Sequence, residues 1–331
     1  MKKLCLLVLC FSVSIVAYSQ TIQRTILSHE GNLTQYDVAH WQDAFTDAVD
    51  GDIIYFTPGV FPVSGECLTI NKAISLIGSG ISQDDCFSPS FFNNFHYSGY
   101  CTTGQSTSIQ GTITIAIPGS RTLTSPIMQG ILVYGYGTSV RVTEPVTNLT
   151  FKRCQFSCES FVTTAAVTNL LMESCYINNI LGGANVVSAN FSNCFIADLA
   201  NNGGAQDVLP EGTGFVNCHF GMLRALSNCT LTNCIVHRHP YQASSITYNH
   251  CILCGYYDDP GSLKINDCIE GLSNDEVTND LITNSYPGIG PFYGTAPFSF
   301  KTSQSYVSSS ALNYDSSTKK VNVTMTIKKG E

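Results

Sequence analysis

Charge is scarce in this chain: Asp, Glu, Lys and Arg make up only 12% of its 331 residues, about half the roughly 25% usual for a soluble domain. Basic residues are scarcer still, 16 against 24 acidic ones. An acidic chain cannot draw its affinity from releasing counterions at phosphates, which excludes nucleic acid as a partner. Long apolar runs are missing beyond the first residues, so no segment approaches the roughly 18 residues that read as a transmembrane helix. Cysteine is present (15 residues) but under a twentieth of the chain, too sparse for a small disulfide-stapled scaffold.

The one apolar run that does occur opens the chain. Lys2 and Lys3 precede Leu4 to Val16, and Ala17-Tyr18-Ser19 forms a small-residue cleavage site before Gln20. That order is the order of a secretory signal, residues 1–19, and predicts an exported protein: periplasmic, cell-surface or extracellular. Leu7-Val8-Leu9-Cys10 resembles a lipoprotein attachment site, but Leu9 stands where a small residue is needed. With Lys2 and Lys3 removed, 14 basic residues face 24 acidic ones, a balance of −10. Two cysteines leave with the signal and 13 remain, so at least one has no partner within the chain.

A repeat organises the second half. Seven segments align on Cys154, Cys175, Cys194, Cys218, Cys234, Cys251 and Cys268, at intervals of 21, 19, 24, 16, 17 and 17 residues. Three residues before each cysteine stand Phe151, Met172, Phe191, Phe215, Leu231, Tyr248 and Ile265. Two after stand Phe156, Ile177, Ile196, Phe220, Val236, Leu253 and Glu270. The period of two within each half is that of a strand with one buried face. The step of three between the halves predicts a corner, at the turn-tolerant or polar residues Ser174, Asn193, Asn217, Asn233, His250 and Asp267, with Arg153 in the first. Such units bury a face only by stacking. A leucine-rich repeat fits the apolar spacing but needs roughly 20–29 residues per unit, more than three of these intervals allow. The sequence therefore predicts an all-β fold, a parallel β-helix, with the cysteines as free thiols packed inward.

The first half agrees. Trp41, Ala44, Phe45 and Ala48 share one helical face, and Gly51–Phe61 and Leu68–Gly80 follow as "GDIIYFTPGVF" and "LTINKAISLIGSG". These segments resemble the start of right-handed parallel β-helices of the pectin-lyase-like superfamily. The resemblance implies a right-handed solenoid with a short helix capping its first coil. Tyr286–Phe298, "YPGIGPFYGTAPF", is similar to the tail of bacterial secreted β-helix proteins without an assigned activity. The expected organisation is a cap over 20–60, coils over 61–275 interrupted by a loop at 82–108, and an irregular tail over 276–331. Within that tail Lys320–Ile327 alternates like one more strand.

Functional candidates are fewer. Superfamily resemblance raises polysaccharide lyase chemistry, which needs a base beside a uronate and a cation on its carboxylate, or glycoside hydrolysis by paired carboxylates. No active-site motif of either kind is recognisable, and His219 has only Phe195 and Ile235 as register neighbours. Cys251 and Cys254 have C-x-x-C spacing, yet on a strand they face opposite ways. Cys86 and Cys101, in the aromatic-rich loop, are the candidate disulfide. The best-registered polar patch follows the last ladder cysteines: His237, Arg238, His239 and Tyr241, then Tyr256 and Tyr257, as glycan-binding candidates. Asp258, Asp259, Asp275 and Glu276 lie seven and eight residues after Cys251 and Cys268, and are the candidate Ca²⁺ ligands. The expectation is a non-catalytic protein whose coils bind a polysaccharide or cell-surface component, with a carbohydrate-active enzyme, lyase before hydrolase, as the alternative.

Overall fold

The structure, a computed structural model, describes residues 23–81, 106–135, 138–156, 160–177, 180–181, 185–199, 209–223, 226, 228–237, 245–254, 264–272, 288–291, 293–294, 306–315 and 320–328. It is a parallel β-solenoid of about 7 turns. One sheet of twelve strands runs its length, from Asn32–Asp37 at one edge to Lys264–Asn266 at the other. Only its first two pairings are antiparallel, where Arg24–His29 lies between Asn32–Asp37 and Ile53–Phe56. A second sheet of thirteen strands faces it. That sheet divides at Thr107–Ile115, whose first half pairs with Leu132–Tyr134 and whose second half pairs with Thr138–Val142. A third, narrow sheet joins Arg121–Thr122, Val146–Thr147 and Val167–Thr168.

The cysteine alignment is the coil register. Phe151, Met172, Phe191, Phe215, Leu231, Tyr248 and Ile265 pair in that order across the first sheet. Phe156, Ile177, Ile196, Phe220, Val236, Leu253 and Glu270 do the same across the second. Between them Cys154, Cys175, Cys194, Cys218, Cys234 and Cys251 are buried as free thiols, and Cys268 is half-buried. Each of these seven Sγ–H groups donates to the carbonyl two residues back, as Cys234 does to Thr232 at 3.3 Å. The rings beside them interlock: Phe191 stacks on Phe215 at 5.0 Å and Phe215 meets Phe220 edge-on at 5.1 Å.

The corner lies one residue before each cysteine. Arg153, Ser174, Asn193, Asn217, Asn233, His250 and Asp267 all have φ between 49° and 55°. That left-handed conformation costs an L-residue roughly 1–2 kcal/mol and is easiest for Asn and Asp, whose side chains bond locally. The corner N–H groups from Arg153 to His250 continue the stack, each donating to a carbonyl of the next coil, as Asn233 does to Asn249. Where "LIGSG" crosses the next coil, a Cβ on Gly78 would strike the carbonyl oxygen of Gly130, so this close approach requires glycine.

Two elements add detail to the expected organisation. The helix near Trp41 is a single turn, Asp43–Asp47, although Trp41, Ala44, Phe45 and Ala48 are all buried as its periodicity demands. Trp41 meets Phe45, Phe56 and Phe61 edge-on at 5.7–6.0 Å. The tail is not irregular throughout: the strand expected over 320–327 is present as Lys320–Lys328, and it pairs antiparallel with Tyr306–Asp315. Among the described residues no helix is long and apolar enough to cross a membrane.

Candidate functional site

Most residues singled out from the sequence lie outside the described residues: Cys86, Cys101, Arg238, His239, Tyr241, Tyr256, Tyr257, Asp258, Asp259, Asp275 and Glu276. His237 is described, and it does not present its ring to solvent. It is 1% exposed, and its imidazole meets that of His219 at 4.8 Å. His219 in turn lies against Phe195 at 5.1 Å and pairs with Phe195 and Ile235 in register. Burial, then the neighbouring His237, push the pKa of His219 well below its ordinary value. Sequence alignment on the cysteines missed this contact because the two histidines occupy different offsets. His219 follows its cysteine by one residue and His237 by three, so both point outward and they meet diagonally across two coils.

The outward row immediately after the cysteines is a second apolar layer. Gln155, Tyr176, Phe195, His219, Ile235 and Ile252 are all at most 4% exposed although they face away from the main core. Residues 288–291 and 293–294 lie against part of this row like a strap. Ile289 packs with Ile235, Ile252 and Cys254. Gly290 N–H donates to the carbonyl of Asn233 at 2.8 Å, and Asn193 Nδ2 donates to the carbonyl of Pro291 at 2.9 Å. Asn193 and Asn217 both donate to the carbonyl of Tyr293, the latter at 3.1 Å. The corner asparagines thus turn the coil and hold the strap at once. Cys254 is buried in this outer cluster while Cys251 belongs to the main core, so the C-x-x-C pair does face opposite ways.

The first sheet offers the open polar face. Over the last coils its outward positions are Thr230 and Thr232, then Thr247 and Asn249, then Lys264 and Asn266, paired in register and all half-buried or exposed. Asn266 Nδ2 donates to Asn249 Oδ1 at 2.8 Å, and at the adjoining corner His250 Nδ1 lies 3.1 Å from Asp267 Oδ2. Val216, 44% exposed and in register with Thr232, adds an apolar spot. Such a face can exchange hydrogen bonds with hydroxyl groups and cover a small apolar surface. Among the described residues no group of three or more His, Cys, Asp or Glu side chains is placed to hold a metal ion.

Compared with protein-family models, characterised proteins and solved structures, the chain matches none.

Proposed function

We propose that the chain is an exported, non-catalytic β-solenoid that binds a glycan, or a surface partner bearing one, on its coil face. The observation that carries this reading is the in-register polar face from Thr230 to Asn266. Its rungs repeat at about 4.8 Å; one column runs Thr230, Thr247, Lys264 and the other Thr232, Asn249, Asn266, so hydroxyls give way to an ammonium and amides along the face. Sugar rings carry hydroxyls at their rims and C–H groups on their faces. Rows of Thr and Asn beside Val216 supply donors, acceptors and an apolar contact for those two surfaces. Export rests on the leader-like residues 1–19, and the pectin-lyase-like resemblance of the first coils is compatible with a carbohydrate ligand.

The test is a panel of uronate-containing and neutral polysaccharides incubated with the purified chain lacking residues 1–19. Binding without new unsaturated or reducing ends, weakened by Thr232→Ala/Asn249→Ala, is the expected result. Product formation would make the chain a carbohydrate-active enzyme, and binding untouched by the double substitution would move the site off this face.

A further inference from the structure

The cysteine row ends at the last coil. Cys251 is buried, whereas Cys268, its partner in the next turn, is half-buried. Ile265 and Ile269 beside Cys268 are half-buried too, although Tyr248 and Ile252 one coil earlier are buried. Among the described residues no strand pairs with the far edge of Lys264–Asn266 or Ile269–Leu272. Cys268 keeps part of its surface exposed at this end of the row.

Its geometry selects a chemistry. Residues stacked in register on neighbouring coils sit about 4.8 Å apart. A disulfide needs Cβ atoms about 3.5–4.5 Å apart, so the coils would have to close up to form one. A metal ion bonded to two sulphurs in line, each at about the 2.3 Å of a zinc–thiolate bond, spans about 4.6 Å and comes close to the repeat. Zinc is excluded because it takes four ligands in a tetrahedron and each gap in the row offers two. A monovalent soft ion held by two thiolates leaves a net negative charge against the apolar core, which is costly. A soft divalent ion leaves none. Each sulphur also already accepts a backbone N–H, Cys251 from Cys234 at 3.4 Å and Cys268 from Cys251 at 3.3 Å. Those donors stabilise sulphur once its proton has gone.

We propose that Cys251 and Cys268 form a site for a soft, two-coordinate divalent ion of the mercuric class. Each thiol releases its proton to water and forms one sulphur–metal bond. One ion displaces two protons, the complex is neutral, and no electron is transferred. The carbonyls of Asn249 and Asn266, which now accept the S–H groups, lose those donors, so the ion must supply more than these weak bonds.

The probe is one equivalent of mercuric chloride added to the full chain, followed by iodoacetamide and peptide mapping. Cys268 should be protected, and exposed Cys67 should react as it does without metal. Native mass spectrometry should show one ion per chain and the loss of two protons. In Cys251→Ser the ion should pass to excess glutathione under conditions where the parent retains it. Should that variant fail to fold, Cys268→Ser, at the half-exposed position, should show the same loss. An ion mapped to Cys67 or to any cysteine outside the row overturns the proposal. So does a Cys268 that stays reactive with metal present, or a Cys251→Ser chain that holds the ion as the parent does.

Discussion

The ammonium of Lys72 ends the helical turn near Trp41, donating to the carbonyl of Ala48 at 2.6 Å. The same nitrogen reaches the carbonyls of Phe45 at 3.0 Å and Thr46 at 2.8 Å. These are the carbonyls that a helix leaves without partners at its C-terminal end, where the backbone dipoles also favour a positive charge. One side chain from the following coil thus ties Asp43–Asp47 to the first turns of the solenoid. Charge-assisted bonds of this kind are each worth about 1.5–3 kcal/mol, less what Lys72 gains from water. Lys72→Met should cost about 1–3 kcal/mol in denaturant unfolding, with Trp41 fluorescence reporting the same transition. An unchanged midpoint would mean the three bonds add nothing in solution.

The cysteine row separates polarity from size. Cys234 is buried, with its Sγ 3.5 Å from the carbonyl of Phe215 and 3.3 Å from that of Thr232. Cys234→Asp places a carboxylate against those carbonyls within the apolar core, and should cost at least about 4 kcal/mol or abolish folding. Cys234→Ala removes one sulphur with its two weak carbonyl contacts and the bond it accepts from Cys218 N–H, and should cost about 1–2 kcal/mol. A thermal melt of both variants checks the order. An Asp variant melting beside the parent would show that position 234 does not face inward.

Those inward rows were legible because period two, a step of three and a repeated cysteine coincide, and only stacked coils satisfy all three. The corner was legible for the same reason: Asn, Ser, His and Asp recur where the chain turns, and the structure finds φ positive at each. The outer layer was not. Alternation says that two faces differ, not that the second is wet, and Gln155 and His219 within the buried row lend it a polar look. Nothing in the order of residues links Ile289 to Ile235, because that contact joins a tail to coils far back in the chain. The patch after Cys234 shows the same limit. His237 reads as a surface residue from its polar neighbours in sequence, and it is buried against His219.

Two histidines pull stability in opposite directions with pH. His29 Nδ1 lies 2.8 Å from Asp52 Oδ1, and that bond and charge raise the His29 pKa above its ordinary 6.5. Its contribution is complete below 6.5 and fades as pH rises through the raised value. His219 is held below 6.5 by burial and by His237. Its contribution is complete above 6.5 and is lost as pH falls from 6.5 toward the depressed value. His29 is 47% exposed and screened by water, so His219 should dominate. Unfolding free energy should drop between pH 6.5 and 5 with a slope of up to about 1.4 kcal/mol per pH unit for one proton. His219→Phe, flanked by Phe195 and Ile235, should flatten that slope, and an unaltered slope would assign it to other groups.

The strap can be parted from the corners that hold it. Asn193 and Asn217 have φ of 55° and 52°, and their side-chain amides bind the carbonyls of Pro291 and Tyr293. Glycine accepts that backbone without strain, so Asn193→Gly/Asn217→Gly removes the strap bonds and leaves both corners intact. Alanine removes the same bonds and adds the left-handed penalty, about 1–2 kcal/mol at each corner. Global stability should therefore fall less in the glycine pair than in the alanine pair. Local opening of the strap should rise equally in both, because it depends on the lost amides. The amide of Gly290, which donates to Asn233, reports that opening directly through hydrogen exchange. Exchange at Gly290 should speed up in both variants while amides within Phe215–Val216 and Leu231–Thr232 keep their protection in the glycine pair. If Gly290 exchanges at the parental rate in both, Ile289 alone secures the strap, and Ile289→Ala becomes the substitution that frees it.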